Sequence, residues 1–154
     1  MRVTSSIPEL PAEDVARMLD GLPEPGAYEV LVKALRYRDR PHLAAWTDFE
    51  DRSITLQVPQ PFLPFGEIVP YGAKRRPGSA KGRPRFVWLT EGITIRTPEE
   101  VLRFSYCHEW MHWWLKEVRG TASAAETTCD RFALHNFRRR RVTEEDAVAA
   151  LRRR

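Results

Sequence analysis

Two histidines and a glutamate in the second half of the chain are spaced for metal chemistry. His108 and His112 are four residues apart, so on an α-helix both imidazoles project from one face, with Glu109 beside the first. Neutral ring nitrogens are typical ligands of Zn²⁺, and the carboxylate could accept a proton from a water that the metal acidifies. The alternative is a buried helix whose histidines are satisfied by hydrogen bonds in the core.

The residues around this motif predict a well-bounded helix. Thr97, Pro98 and Glu100 supply an N-cap, a proline in the first helical position and the glutamate of a capping box. Residues 101–118 contain no proline or glycine, and Gly120 can end the helix in a left-handed conformation. Apolar residues cover most of the helix circumference, which indicates a position in the centre of the domain. We therefore expect the histidines in or beside the core.

A second predicted helix follows and carries two carboxylates, Glu126 and Asp130, on one face. Catalytic zinc sites typically have three protein ligands, so we assign Glu126 as the third and Asp130 as the acceptor that fixes the tautomer of a ligating histidine. Each carboxylate also has a structural interpretation. Glu126 could complete a capping box with Ser123, and Asp130 could pair with Arg131 or Arg138.

Together these two segments resemble the ImmA/IrrE family of small zinc metallopeptidases, over about residues 85–137. Cys129 stands where the family usually has alanine, and Met111 where it often has glycine. The resemblance implies a zincin-like fold, one Zn²⁺ and endopeptidase activity toward a specific intracellular protein such as a regulator. The matching residues are His108, Glu109, His112, Glu126, Asp130, Phe132 and Ala133.

Two further zinc protease families are alternatives for a chain with this motif. Metzincins need a glycine and a further histidine where this chain has Leu115 and Val118, which excludes them. SprT-like proteases take a third histidine from downstream, and His135 is available for that role. His135, Tyr71 or Tyr106 could instead stabilise an oxyanion, although each residue type is also common in ordinary buried or surface positions.

The chain has 154 residues, which is enough for one domain with a genuine core. We expect a single zincin-like domain over residues 1–142, of which 1–45 form a helical N-terminal part, and a short basic C-terminal helix over 143–154. Helices, then a small β-meander, then helices predict an α+β fold. The predicted helices and strands outside the motif segments are helices at 11–20, 25–38 and 143–151 and strands at 53–58, 67–71, 85–89 and 92–96.

Zincins place a sheet edge above the metal, where a substrate backbone can add as an extended strand. The predicted strand at 67–71 or the one at 92–96 could be that edge. Trp113 follows the second histidine and could either pack in the core or line a substrate pocket.

Two cysteines do not suggest a disulfide framework, so we expect Cys107 and Cys129 to be buried thiols in a reducing compartment. The N-terminus lacks the apolar segment of a signal peptide, and no stretch is long enough to span a membrane. The expected location is therefore cytoplasmic, with no membrane partner.

Basic residues cluster at 74–85, 138–141 and 152–154, within a net charge of +4. They could contact phosphates, or they could be a solvated hairpin loop and basic helix ends. The 74–85 segment has no interleaved aromatic residues for stacking, which disfavours nucleic acid and leaves a protein substrate as the expected partner. The competing hypothesis is a protein- or nucleic-acid-binding module that keeps the zincin scaffold without proteolysis.

Overall fold

A computed structural model describes residues 1–76, 85–121 and 126–152, which form an α+β fold. A four-stranded mixed sheet is followed by a two-stranded ribbon and then by helices. In chain order the elements are β1 (Arg2–Ser5), α1 (Ala12–Met18), β2 (Glu29–Leu35), β3 (Ala44–Asp48), β4 (Ser53–Pro59), β5 (Phe65–Arg76), β6 (Arg85–Ile95), α2 (Pro98–Trp113) with a π-helical turn (Trp114–Val118), α3 (Glu126–Asn136) and α4 (Glu144–Arg152).

The four-stranded sheet has the order β1-β2-β4-β3. β1, β2 and β4 are parallel, whereas β3 runs antiparallel to β4 and forms one edge. Helix α2 packs against β3 and β4, so this edge lies beside the predicted motif helix. Ile54, Leu56 and Val58 on β4 are fully buried, as expected for an inner strand.

The predicted helix over residues 25–38 is wrong, because this segment contains β2. Val30 and Val32 are buried whereas Lys33 is exposed, and neighbouring side chains of a strand point to opposite faces. Parallel pairing on both sides, with β1 and β4, stabilises the extended form. The N-terminal part, residues 1–45, is therefore not helical throughout. Its only described helix is α1, which β1 precedes and which β2 and the start of β3 follow along the chain.

Strands β5 and β6 form an antiparallel ribbon that runs from the pair Phe65–Ile95 to the pair Arg76–Arg85, with an irregularity between Pro70 and Gly72. The strands predicted at 85–89 and 92–96 are one continuous strand. The ends of the predicted basic loop at 74–85 belong to this ribbon, and its residues 77–84 lie outside the described residues.

Helix α2 begins as predicted. The side chain of Thr97 accepts a hydrogen bond from the Glu100 backbone N–H at 3.2 Å. Leu102, Tyr106 and Trp110 are fully buried, which confirms the central position of this helix. After Trp113 the helix widens into the π-helical turn, and Gly120 ends the segment with φ of +65°.

Arg103 on α2 binds the C-terminal ends of two other helices. Its side chain is almost completely buried, and the guanidinium donates to the carbonyl oxygens of Met18 (2.8 Å), Asp20 (3.0 Å) and Phe137 (2.8 Å), and to that of Arg139. These oxygens lie at or just beyond the C-terminal ends of α1 and α3, where carbonyl groups have no partner within the helix. One side chain therefore fixes both helix ends to α2.

The segment before α4 packs closely against Gly21, which follows α1. Gly21 has φ of +84°, and a Cβ built on it would lie 1.9 Å from the Arg140 carbonyl oxygen, so only glycine fits there. The Gly21 carbonyl accepts a hydrogen bond from the Val142 N–H at 2.8 Å. α4 starts with a capping contact, in which Asp146 accepts a hydrogen bond from the Thr143 N–H at 2.8 Å.

Candidate metal centre

The predicted donors of α2 and α3 converge on one point. The Nε2 atoms of His108 and His112 are 3.1 Å apart, and the Glu126 carboxylate lies 3.1 Å from the first and 2.9 Å from the second. Four donors around a tetrahedral zinc, with bonds of about 2.0–2.1 Å, are separated from one another by about 3.3 Å. The spacing of these donors therefore fits a small divalent cation held by two nitrogens and one carboxylate.

Two overlapping groups of side chains have ligand atoms close enough to hold a metal ion. The first is His108, Glu109 and His112, and the second is His108, Glu126 and Asp130. His108 belongs to both groups, so the two groups adjoin at this residue.

Asp130 lies beside His108, in the position expected of a residue that fixes the tautomer of this histidine. Its carboxylate is 2.8 Å from Nδ1 of His108, and both side chains are 17% exposed. This hydrogen bond keeps a proton on Nδ1 and leaves the Nε2 lone pair directed toward the other donors. Arg138, one of the alternative partners of Asp130, pairs instead with Glu100 at 2.8 Å. The alternative capping box of Glu126 involves Ser123, which lies outside the described residues.

The electrostatics of the cluster favour positive charge. Burial lowers the pKa of His108, but hydrogen bonds with Asp130 and Glu126 outweigh it and raise the pKa to about 10. The hydrogen bond with His108 is also the main reason that the pKa of Glu126 falls to about 2. Burial and the neighbouring His108 lower the pKa of His112. The carboxylates thus draw a cation to the ring nitrogens, and a bound metal would displace a proton from them.

Glu109 is the buried acidic residue next to the donors. It is 5% exposed, and its Oε2 atom has no hydrogen-bond partner among the residues that the structure describes. Burial raises its pKa to about 7, with Glu126 and Asp130 adding to the rise and His108 opposing it. A buried carboxylate oxygen without a partner is unfavourable unless a cation or a protonated group compensates it. A divalent cation beside Glu109 fits this requirement.

A cavity of about 300 Å³ opens beside His108, between the sheet edge and the ribbon. Ala44 and Ala45 of β3 line one side, and Glu67 and Val69 of β5 line the other. Thr47 of β3 donates a hydrogen bond to the Glu109 carbonyl oxygen at 3.3 Å, which ties the edge strand to the motif helix.

The sheet edge that borders the donors is therefore β3, which the sequence analysis did not identify as a strand. Neither of the strands predicted for this role is an edge of the four-stranded sheet, since both lie in the ribbon. The strand predicted at 67–71 does line the cavity from the opposite side. Ala44–Asp48 has no clear alternation of apolar and polar residues that would have indicated it.

Three residues singled out in the sequence lie apart from the donors. His135 is exposed and, with Tyr71, lines a separate cavity of about 760 Å³ between the ribbon and α3. Tyr106 is fully buried, and its hydroxyl donates to the Pro23 carbonyl oxygen at 2.5 Å, so it is a core residue that cannot reach a substrate oxyanion. None of the three belongs to a metal-binding group of the described residues.

Trp113 is a core residue. Its side chain is 8% exposed and packs edge-on against Tyr28, with ring centroids 6.2 Å apart. Cys107 and Cys129 are buried free thiols, as predicted, and burial raises the pKa of both. These three residues are part of the core that supports α2.

No helix in the described ranges 1–76, 85–121 and 126–152 has the length and apolar character needed to cross a membrane. Comparisons of the chain with protein-family models, with curated proteins and with solved structures found no match.

Proposed function

We propose that this chain is a zinc-dependent endopeptidase with a zincin-like arrangement, a hydrolase that acts on a specific protein. One observation carries the proposal: two imidazole nitrogens and a carboxylate lie about 3 Å from one another, next to a buried glutamate. His108, His112 and Glu126 would hold Zn²⁺, and Asp130 would orient His108 through its Nδ1–H.

Bound Zn²⁺ supplies Lewis acidity, which lowers the pKa of water and polarises a carbonyl group. Glu109 is the residue that moves the proton. Its carboxylate takes a proton from the attacking water and returns it to the nitrogen of the leaving amine. A purely structural metal site has no need for a carboxylate in this position.

The neighbouring sheet edge supports a peptide as the substrate. β3 pairs with β4 on one side only, so its outer N–H and C=O groups can pair with an extended chain. Ala44 and Ala45 are small, and they leave the cavity beside His108 open to a backbone. A peptide along β3 would pass beside the donors and Glu109.

Zinc stoichiometry tests the ligand set. Purified wild-type protein is expected to carry one equivalent of zinc by inductively coupled plasma mass spectrometry, whereas His112→Ala and Glu126→Ala lose it. His135→Ala is the matched control and keeps its zinc. Zinc lost in His135→Ala and kept in Glu126→Ala would favour the SprT-like alternative, in which His135 is the third ligand.

Proteolysis tests the mechanism. A peptide library made from a digested proteome is incubated with the protein, and new termini are identified by mass spectrometry. Wild type is expected to cleave, and Glu109→Gln is expected to retain zinc but to lose about 10²- to 10⁴-fold in rate. Unchanged cleavage by Glu109→Gln contradicts the mechanism. Zinc binding without cleavage of any peptide or protein favours the non-proteolytic binding module.

A further inference from the structure

The outer half of the β5–β6 ribbon, which we define as residues 72–76 and 85–89, exposes large apolar side chains. Phe86 is 64% exposed and Trp88 is 61% exposed. Val87, which lies between them in the sequence, and Leu89, which follows Trp88, are each 38% exposed. Folded proteins seldom leave adjacent large apolar groups open to solvent unless the surface binds something.

The two aromatic rings lie on the same face of the ribbon. Phe86 is paired across the strands with Arg75, and Trp88 with Ala73, so all four side chains project from one side. Two residues along a strand advance about 6.6 to 6.8 Å, which leaves room for one nucleobase against each ring. The methyl group of Ala73 is too small to cover the indole of Trp88.

The outer ribbon is also strongly basic. Lys74, Arg75, Arg76 and Arg85 are exposed, and neither of its two segments contains an aspartate or glutamate. Arg75 lies on the face of the rings and the other three cations on the opposite face, so the ribbon as a whole has a positive potential that complements a polyanion. Aromatic rings for stacking, combined with cations for phosphates, are the features by which proteins bind single-stranded nucleic acid. In a duplex the base faces are already stacked on one another and are closed to the rings.

We propose that the outer ribbon binds single-stranded nucleic acid, with bases stacked on Phe86 and Trp88 and a phosphate paired with Arg75 on the same face. Lys74, Arg76 and Arg85 project from the opposite face and add to the positive potential that attracts the strand. The basic segment at 74–85 contains no aromatic residue, but Phe86 occupies the next position and lies on the same face as Arg75.

This surface is separate from the candidate metal centre. β5 lines the cavity beside His108 with Glu67–Pro70, and the six steps along the strand from Val69 to Arg75 span about 20 Å. An oligonucleotide at the outer ribbon therefore leaves the zinc ligands accessible. The proposal does not depend on proteolytic activity, and substitutions in the outer ribbon leave zinc stoichiometry unchanged.

The test is fluorescence anisotropy of the full chain with a short fluorescein-labelled oligo-dT across a series of KCl concentrations. The logarithm of the affinity is expected to fall linearly with the logarithm of the salt concentration. The slope is about −0.7 for each phosphate contact. Arg75→Gln is expected to reduce this slope by about one contact, whereas Lys33→Gln on β2 leaves it unchanged.

Substitution of the rings tests the stacking. Phe86→Ala and Trp88→Ala are each expected to weaken binding by about fivefold or more, and Trp88→Phe to keep most of the affinity. Leu63→Ala is the matched control, because Leu63 is also exposed (56%) but lies outside the ribbon. Circular dichroism and zinc content confirm that each variant is folded.

Three results would overturn the proposal. The first is no binding of oligo-dT even at the lowest salt concentration. The second is wild-type affinity in both alanine variants of the rings. The third is equal or tighter binding of a duplex of the same length. If oligo-dT does not bind and the ring substitutions reduce only the cleavage of a protein substrate, the outer ribbon is a protein-docking surface.

Discussion

Asp130 is expected to control the zinc affinity without touching the metal. Its carboxylate is 2.8 Å from Nδ1 of His108, the length of a charge-assisted hydrogen bond, and both side chains are 17% exposed. Water therefore replaces this acceptor poorly. Loss of such a partner typically weakens metal binding by about 10- to 100-fold, or roughly 1.4–2.7 kcal/mol. We expect the loss of zinc affinity in Asp130→Ala to lie in the upper half of this range. In Asp130→Asn, which keeps an oxygen acceptor, we expect a loss of about tenfold.

The pH dependence of this loss has a definite sign. The hydrogen bond that Asp130 accepts from Nδ1–H of His108 raises the pKa of this histidine, so it also stabilises the proton that competes with zinc for the imidazole. Removal of Asp130 therefore weakens the binding of the competing proton to His108 as well as the binding of zinc. The measured loss of zinc affinity should therefore be smaller in neutral buffer than in alkaline buffer, where no competing proton remains.

Competition with a chromophoric zinc chelator measures the affinity. Asp39→Ala serves as the control, because Asp39 is exposed and lies outside both metal-binding groups. Urea unfolding of the metal-free proteins separates a loss of affinity from a loss of fold. An affinity of Asp130→Ala within about twofold of wild type at every pH refutes the reasoning that Asp130 orients a ligand.

Three further predictions concern stability. Burial raises the pKa of Asp146, but hydrogen bonds that include the Thr143 N–H lower it overall, so its contribution is present above the unfolded pKa of about 3.9 and is lost as the pH falls through the folded value. Asp146→Asn should thus lower the free energy of unfolding by about 1 kcal/mol at neutral pH. In strong acid, where Asp146 is protonated, the same substitution should leave this free energy unchanged. Urea titration at several pH values measures both. Arg103→Met leaves several buried carbonyl oxygens unpaired and should lower that free energy by about 3 kcal/mol or more in the same titration; a change under about 1 kcal/mol contradicts the role of the guanidinium. Gly21→Ala places a Cβ 1.9 Å from a backbone oxygen and should lower it by about 2 kcal/mol or more, whereas Gly92→Ala, which meets no atom within 4 Å, should not; equal melting temperatures would contradict this.

The predictions that succeeded depend on signals within one segment. The capping residues Thr97 and Glu100 identify the start of α2 without knowledge of any other element. The spacing of His108 and His112, and that of Glu126 and Asp130, defines two helix faces. Their convergence across two helices was an inference, and the distances in the structure agree with it.

The predictions that failed depend on partners distant in sequence. Val30, Leu31, Ala34 and Leu35 have the spacing of one helix face, yet this segment is a strand because β1 and β4 pair with it on both sides. β3 is short and half-buried, and its pairing with β4 alone defines it. Arg103 looks like any arginine in a helical sequence, since its four carbonyl partners belong to other parts of the chain.

The Arg103 clamp has a consequence for the order in which the site is assembled. The residue lies five positions before His108 on the same rigid helix, and it holds the far end of the helix that begins with Glu126. The angle between the two donor-bearing helices is thus set by protein contacts alone. The zinc ligands would therefore be in place before the metal binds. We expect the apoprotein to keep its tertiary structure and to bind zinc again quickly, unlike small domains that unfold when their metal is removed.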